Sequence, residues 1–109
     1  MIYVTIYKNQ KEEYTGFNSI GHAEYGEAGE DIVCAGVSAL VLNTINSIAY
    51  FTDDKFDTGS DEDAGLLFLK FKGKVSHDAD LFLKSLVLGL QGIQNFYGSE
   101  YISIIFEEV

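Results

Sequence analysis

The sequence predicts an α+β fold, in which two helices cover one face of a mainly antiparallel sheet as a two-layer sandwich. Short segments with alternating apolar residues, typical of strands, occur in pairs separated by turns, and two longer segments have the apolar spacing of helices. The predicted element order is therefore β-β-α-β-β-α-β. Because the chain has no proline and no linker rich in glycine and serine, we expect one domain spanning residues 1–109.

The N-terminal half supplies a strand pair and a long helix. Residues 2–7 alternate apolar and other side chains, and residues 14–20 form a weaker strand, so the two segments predict a hairpin. Residues 21–31 contain three glycines and show neither the alternation of a strand nor the apolar spacing of a helix, which indicates a mobile loop. A helix follows from about residue 32 to residue 50, with Asp31 as its N-cap. Apolar residues lie nearly all round this helix, so we expect it to be central and buried on most sides.

The C-terminal half begins with an acidic connection over residues 53–65, through which a short strand at 55–58 passes. Residues 66–72 have the composition of a strand. Ser76 is the N-cap of a second helix, which extends to about Asn95 with a main apolar stripe at intervals of three and four residues. Residues 101–106 form the last strand.

The apolar residues exceed what a two-layer monomer of this size needs. Leu81 and Leu88 fall off the main stripe of the second helix, and residues 66–71 carry apolar side chains on both faces of their strand. A sheet covered on one side usually leaves its other face polar. The surplus predicts a homodimer that covers the second face.

The composition excludes some partners. The formal net charge is −10, and a polyanion repels phosphate, so we expect no direct nucleic-acid binding. The charge suits a basic protein partner, although acidic charge also serves solubility alone.

The predicted location is the cytoplasm. The single cysteine cannot form an internal disulfide, which suits a reducing compartment. The first residues alternate as a strand does and lack the basic start and long apolar middle of a signal peptide. The longest apolar-rich segment, residues 32–51, is interrupted by Ser38, Asn43, Asn46 and Ser47, so no membrane helix is expected.

Cys34 and His22 are the residues with the chemistry for catalysis. Cys34 lies in the first turn of the first predicted helix, where free amides favour a thiolate and provide a candidate oxyanion site. Ser38 lies one turn further on the same face and can donate to the thiolate or to a carbonyl. His22, at the other end of the glycine loop, is placed to act as the base. Asp31 either caps the helix or orients His22, and capping is the favoured role.

Alternatives remain for these residues and for the acidic segment. Cys34 and His22 are each compatible with a purely structural role in the core or at the surface. A metal site formed by His22, Glu24, Cys34 and His77 matches no zinc spacing, so neither a metal nor another cofactor is expected. The acidic segment 53–63 is interpreted as a solvated hairpin, with an electrostatic collar for a lysine-rich peptide as the sharper alternative.

One segment resembles the signature of a known family. Gly21-His22-Ala23, followed after the loop by the segment Gly29-Glu30-Asp31-Ile32-Val33-Cys34-Ala35-Gly36-Val37-Ser38-Ala39, is similar to the ribosomal-processing cysteine proteases, the Prp family. The resemblance implies an endopeptidase that removes the N-terminal extension of a bacterial large-subunit ribosomal protein. It places the catalytic pair on Cys34 and His22 and implies a homodimer. It also implies a loop that orders over the bound peptide, formed by Gly21, Ala23, Gly26 and Gly29.

The sequence therefore supports three hypotheses. The first is a cysteine endopeptidase with a Cys–His dyad and a basic ribosomal protein as its substrate. The second is a non-enzymatic acidic module that binds such a protein during ribosome assembly. The third is a thiol redox sensor at Cys34, against which the chain offers no resolving cysteine.

Overall fold

Five strands and two helices form the fold in this computed structural model, which describes residues 1–27 and 30–109. The elements are β1 (Ile2–Lys8), β2 (Tyr14–Ile20), α1 (Ile32–Phe51), β3 (Phe56–Asp61), β4 (Leu66–Phe71), α2 (His77–Tyr97) and β5 (Ile102–Glu108). The predicted α+β fold and element order are confirmed.

The sheet has the strand order β3-β4-β2-β1-β5 and is antiparallel at every pair except β1 with β5. The parallel pair arises because β5 follows the long crossover through α2. Since β2 pairs with β4, the end of β2 lies beside the turn that joins β3 to β4. This neighbourhood brings residue 21 next to residue 64, although the two are far apart in the sequence.

The alternation predicted for β1 is the basis of the core on the sheet side. Ile2, Val4 and Ile6 are buried, whereas the intervening Tyr3 is 56% exposed. Phe17 of β2 lies opposite Ile6 and is also buried. These side chains belong to one contiguous apolar core with the inner stripes of both helices.

Helix α1 is less buried than predicted. One stripe is buried, and it is formed by Val33, Val37, Val41, Thr44, Ile45 and Ile48. Leu42 and Tyr50 are exposed, because a two-layer fold covers a helix on one side only. The expectation that the helix is buried on most sides is therefore wrong for a single chain.

The length and composition of α1 also meet the requirements for crossing a membrane, with a mean hydropathy of 1.8 over its best window. The core helices of soluble proteins pass the same test. The buried stripe packs into the apolar core of this chain, so we assign α1 as a core helix.

Strands β3 and β5 extend beyond their predicted ends. β3 extends to Asp61 rather than ending near residue 58, because pairing with β4 continues to the match of Asp61 with Leu66. β5 extends to Glu108, since its parallel register with β1 continues to Lys8. Neither extension is visible in local composition, because the acidic and polar residues there carry no apolar alternation.

The apolar residues that fall off the main stripe of α2 lie at the surface. Leu81 and Leu88 are exposed, and Phe96 near the end of the same helix is 80% exposed. The sequence thus correctly indicated surplus apolar surface outside the core of one chain.

Candidate active site

The first turn of α1 carries Cys34, and Asp31 fixes that turn. One carboxylate oxygen of Asp31, Oδ1, accepts hydrogen bonds from the amides of Val33 and Cys34, both at 3.0 Å. Asp31 itself has an extended backbone, as an N-cap residue does. The predicted cap is therefore present, and it determines where the thiol lies.

The second oxygen of Asp31 is also engaged. Oδ2 accepts from the amide of Tyr25 at 3.0 Å, which ties the preceding loop to the start of the helix. Burial opposes ionisation of the carboxyl, but the hydrogen bonds from Cys34 and Tyr25 outweigh it and lower the pKa of Asp31. The hydrogen bonds of Asp31 serve the cap and the loop, so the favoured role from the sequence matches the geometry.

The Cys34 thiol is half-buried and accepts a hydrogen bond at 3.1 Å from the amide of Ala23. Burial raises the pKa of the thiol, and the nearby Asp31 carboxylate raises it further, while the Ala23 amide acts in the opposite direction. The expectation that the helix start lowers this pKa is wrong for the resting chain. The physical reasons are the burial of the thiol and the nearby Asp31 carboxylate. Asp31 also accepts hydrogen bonds from the amides of Val33 and Cys34, which removes them as oxyanion donors.

His22 follows β2 and has an exposed side chain. Its Nε2 atom lies 3.1 Å from the main-chain carbonyl oxygen of Asp63, in the turn between β3 and β4. Within the part of the chain that the structure describes, the imidazole makes this hydrogen bond and none with the Cys34 thiol.

A cleft with two arms brings the predicted site residues together. One arm has a volume of about 420 Å³ and the other about 510 Å³, and His22, Cys34 and Ser38 line both. An extended peptide crossing the cleft would therefore pass the thiol, with room on either side. Ser38 lies where the i+4 spacing predicted it.

The two arms differ in chemistry. The first is lined by apolar side chains from the helix and from β4, including Leu42, Leu66 and Leu67, with Asp61 and Glu62 among its polar residues. The second is lined by the loop before α1 and by the start of the helix, including Glu24, Gly26 and Ala35.

The predicted loop residues occupy distinct places. Gly21 has a φ of +103° and lines the first arm, Gly26 lines the second arm, and Ala23 is buried below the thiol that its amide contacts. Gly29 lies outside the described residues.

Sequence reasoning missed the contribution of the β3–β4 turn. The structure brings Asp61, Glu62 and Gly65 to the first arm of the cleft and the Asp63 carbonyl to His22. The exposure of Asp61 and Glu62 agrees with a solvated hairpin, and their position in the cleft is one that the alternative, an electrostatic collar for a lysine-rich peptide, requires. Only the pairing of β2 with β4 places this turn beside His22, and no local pattern encodes that pairing.

Comparison with known proteins identifies the family. The family model described as cysteine protease Prp matches residues 1–103. This chain belongs to the cysteine protease Prp family. Among its Prp relatives, the ribosomal processing cysteine protease Prp of Staphylococcus aureus (strain NCTC 8325 / PS 47) is 34% identical over 97 residues, which cover 89% of this chain and 92% of the relative. The protein of the same name from Bacillus subtilis (strain 168) is 29% identical over 103 residues, covering 89% and 90%.

Solved Prp structures share the fold. The S. aureus protease with a covalently linked product peptide matches with a TM-score of 0.92 and 33% identity, covering 98% of this chain and all of that one. The same protease with a substrate peptide matches with a TM-score of 0.86 and 32% identity, over equal shares. The predicted Prp family and the interpretation as a cysteine protease are confirmed.

Proposed function

We propose that this chain is a Prp endopeptidase that removes the N-terminal extension of a bacterial large-subunit ribosomal protein, with Cys34 as nucleophile and His22 as base. The observation that carries the proposal is the cleft, because its two arms meet at His22, Cys34 and Ser38. The Prp relatives are named for ribosomal processing, and the S. aureus protease binds peptides.

The reaction proceeds through an acyl-enzyme. His22 takes the proton from the Cys34 thiol, and the thiolate attacks the scissile carbonyl carbon to give a tetrahedral oxyanion. Collapse of that intermediate breaks the C–N bond, and the imidazolium returns the proton to the leaving amine. Water, deprotonated by His22, then attacks the thioester, releasing the carboxylate product and regenerating the thiol.

The resting geometry makes activation depend on the substrate. The raised pKa of Cys34 keeps the sulfur protonated, and the Ala23 amide occupies it. A bound peptide brings its own polar groups to the cleft and shifts the loop that carries Ala23 and Gly26 over the site. The Ala23 amide, which now contacts the thiol, and the Ser38 hydroxyl, which lines both arms, are then candidate donors for the oxyanion. Such a requirement restricts cleavage to peptides that close the loop.

The charge of the chain suits a basic substrate. The net charge is −10, and Asp61 and Glu62 line the arm that also carries the apolar wall. A basic ribosomal protein would be attracted to this arm. The proposed reaction uses no metal or other cofactor, takes place in the cytoplasm and requires neither nucleic acid nor a membrane.

We also propose that the chain is a homodimer. Exposed Leu81, Leu88 and Phe96 leave apolar surface on α2 outside the core of one chain, and an isologous contact would cover it. Light scattering at micromolar concentration should give the mass of two chains. A mass of one chain would contradict the dimer and leave the proposed cleavage reaction intact.

Cleavage is tested with the extended ribosomal protein from the same genome. Incubation with this chain should produce a new N-terminus, which mass spectrometry identifies. Cys34→Ala and His22→Ala should abolish the product while their circular dichroism matches that of the wild type. His77→Ala is the matched control, because His77 is exposed at the start of α2 and lines neither arm of the cleft. Full cleavage by Cys34→Ala would refute the proposal.

A further inference from the structure

We propose that the main chain of the β3–β4 turn orients His22, with the carbonyl of Asp63 holding the Nε2 proton so that Nδ1 is the basic atom. This inference deepens the proposed function and rests on it for the catalytic role of His22. It assigns the β3–β4 turn, residues 62–65, as a positioning element of the site.

The identity of the basic nitrogen follows from the chemistry of the contact. A carbonyl oxygen only accepts hydrogen bonds, so the contact at 3.1 Å requires a proton on Nε2. A neutral imidazole carries one ring proton, and its lone pair is then on Nδ1. The Asp63 carbonyl thus does for His22 what a carboxylate does in other catalytic triads.

The turn holds the His22 segment at two adjacent points. The Ala64 carbonyl accepts from the Gly21 amide at 3.0 Å, while the neighbouring Asp63 carbonyl accepts from the His22 ring. Consecutive residues of the turn therefore bind consecutive residues at the end of β2. Two hydrogen bonds in sequence fix the direction of the chain as well as its position, which limits how the ring can rotate.

Packing at Gly65 brings the turn against the imidazole itself. Gly65 has a φ of +64°, and a Cβ there would overlap the carbonyl oxygen of Gly21 and lie 3.0 Å from Cε1 of His22. Any side chain at this position would push the turn away from the ring.

The Asp61 side chain builds the tip of the turn. Its Oδ1 atom accepts from the amides of Asp63 at 3.1 Å and Ala64 at 3.3 Å. The Ala64 amide belongs to the same peptide unit as the Asp63 carbonyl, so this bond orients the acceptor that contacts His22. The next peptide unit, which carries the Ala64 carbonyl, is held by the Gly65 amide, which donates to the Glu62 carbonyl at 3.2 Å. Asp31, the carboxylate that the sequence offered as a partner for His22, has both oxygens engaged by other amides.

The test is the tautomer of His22, measured by long-range ¹H–¹⁵N NMR of the resting protein at about pH 8.5, where an ordinary histidine is neutral. The wild type should show the Nε2–H form at His22, with His77 as the internal reference. Gly65→Ala should lose this preference and lower kcat about tenfold or more, with KM changed less than about threefold, because the base is misplaced.

Gly73→Ala is the matched control for backbone strain. Gly73 has a φ of +83°, and a Cβ there meets nothing within 4 Å. This variant should therefore keep both the Nε2–H form and kcat. If it loses them as Gly65→Ala does, strain alone explains the effect and the inference is wrong.

A second pair of variants serves if Gly65→Ala fails to fold. Asp61→Ala removes the acceptor that shapes the turn and should lose the tautomer preference. Asp61→Asn keeps an acceptor oxygen without the charge and should retain that preference. Asp63→Ala keeps the carbonyl, so its Nε2–H signal should also persist.

An Nδ1–H form in the wild type, or an Nε2–H form unchanged in both Gly65→Ala and Asp61→Ala, would overturn the inference. Loss of the Nε2–H signal in Asp63→Ala would overturn it as well, because the Asp63 side chain rather than its carbonyl would then hold the proton. These outcomes are distinct from failure of the proposed function. If His22→Ala cleaved at the wild-type rate, the catalytic role would fail while the tautomer would still report the contact with the turn.

Discussion

Cys34 and His22 face one cleft, but different kinds of contact hold them. Asp31, three residues before Cys34, caps α1 and fixes the turn that carries the thiol. His22 contacts the main chain of Asp63, which lies 41 residues further along the sequence. The position of the nucleophile is therefore set locally, whereas that of the histidine depends on which strands are neighbours in the sheet.

The cysteine end of the site, held by Asp31, and the histidine end, held by the β3–β4 turn, also differ in the property that loss of a contact should reduce. The cap at Asp31 is part of a long helix in the core, so its loss should reduce stability and change the electrostatics of the thiol together. The turn near His22 lies at the surface, so its loss should reduce catalysis more than stability. Variants at each end can separate these two consequences.

The largest effect is expected at Gly21. Its φ of +103° suits glycine, and a Cβ there would overlap the carbonyl oxygen of Met1. We expect Gly21→Ala to reduce the free energy of unfolding by about 2 kcal/mol and to reduce cleavage about a hundredfold, because the histidine moves with the strained backbone. Urea unfolding and the cleavage assay measure the two quantities.

Gly73→Ala is also the control for Gly21→Ala, because it separates backbone strain from steric overlap with the Met1 carbonyl. The control residue shares the sign of φ and has open space around it. Equal losses of stability in the two variants, with normal cleavage by Gly21→Ala, would show that the end of β2 does not position His22.

The sequence was sufficient for the elements and for the cysteine end of the site. Alternation in β1 and the pair of Asp31 and Cys34 are local patterns, and each led to the observed structure. The contact between His22 and Asp63 could not be predicted, because its acceptor is a main-chain atom that any residue supplies. The raised pKa of Cys34 could be predicted only in part. Its largest cause is burial of the thiol, which no local pattern shows, whereas the neighbouring Asp31 carboxylate, which raises the pKa further, is visible in the sequence.

The second-largest effect is expected at Asp31, which holds the turn that carries Cys34. Asp31→Ala removes the acceptor for Val33, Cys34 and Tyr25, so we expect a loss of about 1–2 kcal/mol in the free energy of unfolding. Because the Asp31 carboxylate raises the pKa of Cys34, its removal should lower that pKa and speed alkylation by iodoacetamide near neutral pH. Alkylation rates across a pH series measure the shift. A slower reaction in the variant would contradict the assigned cause.

A smaller effect distinguishes the charge of the β3–β4 turn from its main chain. Glu62 lines the first arm, so Glu62→Gln should raise KM for a basic peptide about two- to threefold at low salt, with kcat unchanged. The difference should vanish at about 0.5 M salt, where the charge is screened. Glu107→Gln on β5, which lines neither arm, is the control and should not change KM. An effect on kcat instead would mean that Glu62 acts through His22.

The smallest effect is the acid dependence of stability. The hydrogen bonds from Cys34 and Tyr25 lower the folded-state pKa of Asp31, so this carboxylate stabilises the fold fully above its unfolded pKa of about 3.9. That stabilisation is lost as the pH falls through the lower folded pKa. Asp31→Asn should therefore show a smaller decrease in unfolding free energy than the wild type between about pH 5 and pH 2. Gly65→Ala should decrease as the wild type does, because the acceptor that holds His22 is a carbonyl, which does not titrate. A weaker acid dependence in Gly65→Ala would mean that an ionised carboxylate, such as that of Asp61 at the tip of the turn, also stabilises the histidine end.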